Sequence, residues 1–363
     1  MKAWRQTAVT ELLGIEYPII QGPFGRGGST ALLASAVSNA GGLGSFGAND
    51  LTPESVFNTA AEIRAHTDRP FGMNLWVSTY DPGGETLNEE TYGRVLGSLE
   101  PYYEELGVPL PKIPSGKAAD FDEQVAALIE AKPAVFSFVF GIPSPQILQS
   151  CRKRGIVTVG GASTVDEAAA IEAAGVDMVV ASGFEAGGHR PSFLRPAEDS
   201  LVGTFALVPQ VADKVRIPVI AAGGIADGRG IVAALTLGAE AVQIGTAFLA
   251  CDESGAHLLH RQALFQNEAK YTELSRAYTG RLARGIRRPF AARMQEADVP
   301  FAQYPAHSWI IAPLRAAALA QGRADLVALW AGQAAPLLRY HKAGELFAAL
   351  VGETDALLKQ GAT

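Results

Sequence analysis

The chain has only two cysteines in 363 residues, Cys151 and Cys251. They are too few for a disulfide framework, lie far from any zinc-ligand spacing, and suit a reducing compartment. Charge is also sparse, at 18% Asp, Glu, Lys and Arg, with no run of five or more like charges to mark an interaction tail. The net charge of −7 argues against a nucleic-acid surface, which needs a basic patch to neutralise phosphates. No window of about 20 residues is continuously apolar, so no membrane-spanning helix is expected. Met1 to Glu11 lacks the apolar segment of a signal peptide, and the expected location is the cytoplasm. Missing too is a Gly-x-Gly-x-x-Gly opening a helix after the first strand. Gly25-Arg-Gly-Gly28 is the nearest stretch and matches poorly, which speaks against a separate dinucleotide-binding domain.

What the chain does have is apolar material, 48% of its residues, enough for a sizeable core. Short Val/Ile/Ala-rich runs alternate with helical patterns. Strands are expected at residues 17–21, 42–46, 71–77, 134–140, 156–160, 177–182, 217–222 and 241–245. Helix signals separate them: Gly41-Gly42 as a stop, Thr52-Pro53-Glu54 as a start, and Thr164 with Glu167 as a capping box. Eight near-continuous apolar strands joined by crossover helices in about 250 residues predict an α/β chain, a (β/α)₈ barrel, rather than an open doubly wound sheet. Residues 1–250 are assigned to the barrel. Residues 78–118, rich in Pro, Gly and Glu, are expected as an insertion after strand 3 packed over the mouth. Residues 251–363 read as a helical region with no clear strands, covering the mouth and contributing to the substrate site. Its Ala-rich helices suit packing either onto the barrel or between the subunits of a homodimer.

In such a barrel the active face lies at the strand C-termini. The unusual residues fall there: Gly22, Pro23 and Phe24 after strand 1; Asn74 at strand 3; Ser182, Gly187, Gly188 and His189 after strand 6; Gly223 and Gly224 after strand 7; and Gln243, Ile244, Gly245 and Thr246 at strand 8. Glycines let backbone N–H groups approach an oxyanion closely, and a helix after Thr246 would add its positive end. Two glycine loops on adjacent strands point to one phosphate group. Of six histidines, His189 alone follows a strand into a glycine-rich loop at the active face, and an imidazole there can take a proton or hydrogen-bond an anion. His257 and His260 share a helical spacing but lack a third ligand, so they read as a solvated helix face and no metal is expected. Glu185 reads as a loop anchor accepting backbone N–H bonds. Asn74 reads equally well as a loop brace or as an amide paired with a cofactor edge.

These residues resemble the nitronate monooxygenase family, once called 2-nitropropane dioxygenases. The resemblance runs through Gln21-Gly-Pro-Phe24, Gly41-Gly-Leu-Gly44, Met73-Asn-Leu75, Gly183-Phe-Glu-Ala-Gly-Gly-His-Arg190, Gly223-Gly-Ile-Ala-Asp-Gly-Arg-Gly230 and Ala233 to Leu249, with Trp330-Ala-Gly-Gln333 further on. It implies non-covalent FMN and oxidation of alkyl nitronates, in some members also nitroalkanes, by dioxygen. It also implies that His189 is catalytic, that Asn74, Gly187, Gly224 and Gln243 to Thr246 contact FMN, and that Gly22 to Phe24 line the flavin. Three positions depart from the pattern: Ser182 stands where many members have Gln, Phe24 replaces Met, and Pro191 replaces Gly. The rival readings are a flavin enoyl-thioester reductase linked to NAD(P)H, a flavin carrier without turnover, and a phosphate-sugar isomerase. An IMP dehydrogenase type is set aside because residues 183–200 contain no cysteine nucleophile.

Overall fold

The computed structural model describes residues 3–77, 87–114, 119–296 and 301–360. The chain opens with α1 (Ala8–Leu13), β1 (Ile19–Gln21), α2 (Ala31–Asn39), β2 (Gly44–Gly47), α3 (Pro53–His66) and β3 (Phe71–Trp76). It continues with α4 (Glu89–Leu106), α5 (Phe121–Ala131), β4 (Val135–Val139), α6 (Pro145–Arg154), β5 (Val157–Ala162), α7 (Val165–Ala173) and β6 (Met178–Ser182). Then come β7 (Gly188–His189), α8 (Thr204–Lys214), β8 (Val219–Ala222), α9 (Gly228–Thr236), β9 (Ala241–Ile244) and the one-turn α10 (Thr246–Leu249). The rest is α11 (Leu258–Leu264), β10 (Thr272–Ser275), β11 (Ala283–Ile286), α12 (Pro289–Glu296), α13 (Ala306–Ala320) and α14 (Ala343–Gln360).

Eight strands form one parallel sheet in the order β1-β9-β8-β6-β5-β4-β3-β2. A parallel bridge from Ile20 to Leu43 joins its two ends, with Gln21 N–H donating to Leu43 O at 2.9 Å. The sheet is thereby closed into a (β/α)₈ barrel, and β8 and β9 are its seventh and eighth strands. The local signals act as their chemistry requires. Thr52 caps α3 at Ser55 N–H ahead of Pro53, and Thr164 and Glu167 form the capping box of α7.

Alternation along each strand splits the core into layers. Inside the barrel, Ile20, Leu43, Val135, Val159, Met178, Val180, Ile220 and Ala241 pack with Val9, Leu13 and Ile15. Val135, Met178 and Ala241 are first residues of their strands, so α1 stoppers the N-terminal end and leaves the C-terminal end for chemistry. Outside, Ile19, Met73, Phe136, Phe138, Val179, Ala221 and Ile244 face the helices. Fully burying an aliphatic or aromatic side chain of this size contributes about 1.5–3 kcal/mol.

The non-barrel parts depart from expectation in three ways. Residues 87–114 of the insertion are not loop alone, because α4 buries Val95, Leu99, Tyr102 and Tyr103 against the C-terminal region. Tyr103 OH donates to Ile310 O at 2.5 Å, which puts α4 behind α13 (residues 78–86 and 115–118 of that insertion lie outside the described residues). Residues 251–363 are not purely helical, because β10 and β11 pair antiparallel with each other and β11 pairs with β7. Finally, α14 does not cover the mouth. Leu346, Phe347 and Leu350 join the outer barrel core, and α14 packs on α9 and α2 of its own chain. Among the described residues no helix is long and apolar enough to cross a membrane.

Candidate active site

The strand C-termini open into a cavity of about 540 Å³, within the range of small-molecule sites. Its floor holds Gly22, Pro23, Phe24, Asn74, Ser182, Gly187, Gly188, His189, Gly223, Gly224, Gln243, Gly245 and Thr246, which the sequence singled out. Ile244 is the exception. Strand alternation turns its side chain outward into the core against the helices, and only its backbone serves the site, accepting Gly22 N–H at 2.9 Å.

The first of the two glycine loops adopts a backbone that needs glycine, whereas Gly245 in the second has an ordinary φ of −96°. Gly223 and Gly224 have φ of 106° and 72°. No acceptor among the described residues takes the N–H groups of Gly224, Gly245 or Thr246. Gly245 and Thr246 are half-buried and Gly224 is exposed, and these amides on adjacent strand exits form a cradle for an anion such as a phosphate. The helix expected after Thr246 is corrected: α10 is a single turn, too short for its dipoles to sum appreciably, so the cradle rests on individual N–H groups.

The loop after β6 is held from beneath by buried charge. Glu185 accepts from Thr204 N at 2.8 Å and from Thr204 Oγ1 at 2.7 Å, which is the anchoring role expected of it. Arg190, buried, donates to Gly183 O at 2.5 Å and Ser182 O at 2.8 Å. Arg284, buried on β11, donates to Phe184 O at 3.0 Å and lies 4.2 Å over the Phe184 ring. This loop delivers His189 into β7, where it pairs with Ala283.

His189 lies at the centre of an aromatic enclosure. Its ring centroid is 5.1 Å from Trp76, 5.3 Å from Trp330, 6.4 Å from Phe140 and 6.5 Å from Tyr304. Its Nε2 is 3.0 Å from Thr279 Oγ1. Burial, then the nearby guanidinium groups of Arg281 and Arg26, push its pKa down to about 3. The imidazole is therefore neutral at physiological pH, and the same charges that disfavour imidazolium favour an anion beside it. Asn74 Nδ2 donates to Ser137 Oγ at 3.0 Å, one of its two expected roles, and the residue still lines the cavity.

His260 does not sit on a solvated face. It is buried, its Nε2 lies 2.8 Å from Trp330 O, and burial pushes its pKa down to about 4. His257 is exposed and caps α11 through Nδ1. No group of three metal-ligand side chains occurs among the described residues.

Sequence reasoning missed the opposite wall. Tyr278, Thr279, Ile311, Arg315, Leu319, and Leu326 to Trp330 line the cavity from the C-terminal region, and Arg26, Asp50, Trp76 and Phe140 line it from the barrel. Trp76 and Phe140 end or follow barrel strands, so their position was a readable signal. Thr279 and Arg315 lie in no motif and are brought in by tertiary packing.

A family model described as nitronate monooxygenase matches residues 6–353. The chain is 37% identical over 357 residues to a probable nitronate monooxygenase of Staphylococcus aureus strain Newman, covering 98% of this chain and 99% of that one. A probable nitronate monooxygenase of Staphylococcus saprophyticus is 38% identical over 356 residues, with the same coverage. Among solved structures, nitroalkane oxidase from Streptomyces ansochromogenes superposes with a TM-score of 0.90 at 36% identity, covering 98% of this chain and 100% of that one. FabK from Thermotoga maritima superposes with a TM-score of 0.76 at 31% identity, covering 98% of each chain.

Proposed function

The chain belongs to the nitronate monooxygenase family, an oxidoreductase family whose membership implies a flavin, and from that premise we propose that it binds FMN and oxidises alkyl nitronates with dioxygen to a carbonyl compound and nitrite. The observation that carries this reading is the placement of His189 in one cavity with Gly224, Gly245 and Thr246, whose N–H groups have no acceptor among the described residues. Gly224, Gly245 and Thr246 would hold the FMN phosphate, and Gly22 to Phe24, Asn74, Ser182, Gly187, Gly188, Gly223 and Gln243 would line the rest of the cofactor. The unpaired backbone donors fit a phosphate dianion. When bound, FMN supplies the electron acceptor for the substrate.

The protein's own work is positioning. His189 hydrogen-bonds the nitronate oxygens through its ring N–H. Trp76, Phe140 and Trp330 keep bulk water from the reacting carbon. The cationic field of Arg281 and Arg26 favours the anionic nitronate over its neutral conjugate acid. Residues 251–363 supply the substrate wall, through α13 and the segment Leu326–Trp330. The two buried free thiols suit the cytoplasm. Replacing His189 with Asn tests the reading: turnover of ethyl nitronate falls sharply while bound FMN remains. Unchanged turnover removes His189 from the mechanism.

One observation favours a second reading, a flavin-dependent, NAD(P)H-linked enoyl-thioester reductase. The outer wall is lined by Ile311, Leu319, Leu326, Val327 and Leu329, an apolar surface suited to an acyl chain. Rapid NAD(P)H consumption with an enoyl thioester, and none of the nitronate reaction, would select it.

A further inference from the structure

We propose that Thr279 is a positioning residue that sets the tautomer of His189, donating its hydroxyl hydrogen to Nε2 so that the ring presents Nδ1–H as the donor to an anionic substrate. The inference rests on the proposed function for the identity of the substrate, but the tautomer stands on geometry alone.

Thr279 is 3% exposed and lies in the connection between β10 and β11, the same hairpin that pins the His189 backbone. Leu282 O accepts Arg190 N–H at 3.0 Å, so the residue after His189 is held by that connection as well. A shift of the hairpin therefore moves Thr279 and His189 together. Among the described residues the hydroxyl oxygen has three hydrogen-bonding neighbours. The backbone N–H of Arg281 lies 3.2 Å away and can only donate, so it occupies one lone pair. The single hydroxyl hydrogen then has two candidate acceptors, Arg281 O at 3.2 Å and His189 Nε2 at 3.0 Å. The nearer is the imidazole nitrogen, and a carbonyl oxygen tolerates a lost partner better than the lone pair of a ring nitrogen enclosed by Trp76, Phe140, Tyr304 and Trp330.

Charge supports the same assignment. Among the described residues, the charged groups that act on the His189 ring are Arg281 and Arg26, both cationic. The guanidinium of Arg281 lies 3.7 Å from the centroid of Phe140, 4.7 Å from that of Tyr304 and 5.6 Å from that of Trp76, so it belongs to the same enclosure. Such a site attracts an anion. A neutral imidazole assists an anion only through its N–H, because a lone pair turned toward the substrate would repel it. Thr279 makes the neutral ring a donor on the side that remains.

The test uses the purified holoprotein with ¹⁵N-labelled histidine. Ring ¹⁵N shifts distinguish a protonated from an unprotonated nitrogen, and the His189→Asn spectrum identifies the His189 resonances by their loss. The expected result is a protonated Nδ1 and an unprotonated Nε2 in the wild type. Thr279→Ser keeps that pattern, and Thr279→Val loses it, with kcat/KM for ethyl nitronate reduced about tenfold or more, as for loss of a buried hydrogen bond that acts on an anion. Thr279→Ser should stay within about twofold of wild type, since the hydroxyl is retained. A wild-type ring protonated at Nε2 overturns the proposal, as does a Thr279→Val protein whose tautomer is unchanged. If no variant, nor the wild type, turns over nitronate, the functional reading fails while the ¹⁵N result still decides the role of Thr279.

Discussion

Gly332 N–H donates to Thr246 Oγ1 at 2.9 Å, tying the C-terminal wall of the cavity to the exit of the last barrel strand. The bond matters because Thr246 also offers its N–H to the anion cradle. With Oγ1 already accepting from Gly332, the hydroxyl hydrogen is left to donate toward the phosphate of the proposed FMN. Thr246→Val removes both connections. We expect FMN affinity to fall about tenfold or more, by analogy with loss of a hydrogen bond to a charged group. Equilibrium dialysis against FMN measures it, and unchanged affinity would place the phosphate elsewhere.

The same segment makes a backbone-to-backbone approach that only glycine allows. A Cβ on Gly332 would stand 2.9 Å from Glu185 O and 3.1 Å from Gly187 N. A Cβ on Gly187 would stand 2.6 Å from Gly332 N. Gly332→Ala must therefore push the β6 loop and the Trp330 segment apart. The expected cost is about 1–3 kcal/mol, as for overpacking elsewhere. Thermal or urea unfolding reads it directly, and a stability equal to wild type would show that the two segments are not held in register.

Gly223→Ala is expected to act through strain as well as fit. Its φ of 106° lies where side chains are disfavoured, and a Cβ would come within 2.9 Å of Thr204 Oγ1, the hydroxyl bonded to Glu185. The variant should retain less flavin on purification, measured as the ratio of visible to protein absorbance. Full flavin retention would show that this loop is not part of the cofactor site.

Acid sensitivity follows from three enclosed neutral histidines. Burial pushes His260 and His307 down to about 4 from 6.5, and burial with cationic neighbours pushes His189 to about 3. A depressed folded pKa means that the unfolded chain binds protons the folded one refuses. The stability is complete above about pH 6.5 and declines as pH falls from there toward the folded values. Melting temperature should thus be flat near neutrality and fall between about pH 6.5 and pH 4. His307, fully buried with Nε2 at 2.9 Å from Ala277 O, offers the control. His307→Gln should lower the melting temperature at neutral pH but shorten its fall in acid. An acid slope identical to wild type would mean that His307 titrates normally.

How much of this was legible beforehand depended on whether a feature is local. The eight barrel strands were readable because Val/Ile/Ala runs and capping residues such as Thr52 and Thr164 act within a few residues. The floor of the cavity was readable for the same reason, since Gly223, Gly224, Gly245 and His189 follow strand ends. Strand alternation turns the Ile244 side chain outward, so only its backbone faces the site. β10 and β11 were not readable, because four-residue strands such as Ala283–Ile286, with Arg and Gly inside, show no alternation and form by pairing with each other and, for β11, with the His189 loop. His260 was misread because its spacing with His257 describes a helix face, and burial of that face depends on Trp330, 70 residues away. Thr279 carried no motif at all, and only the docking of the hairpin brings it to His189.

The most direct test of nitronate oxidation is anaerobic mixing of the purified protein with ethyl nitronate while the visible spectrum is recorded. The expected result is a yellow protein whose flavin absorbance bleaches with nitronate and returns on admission of dioxygen, with nitrite formed. A yellow protein indifferent to nitronate but bleached by NAD(P)H, or a colourless protein that cannot be reconstituted with FMN, would contradict it.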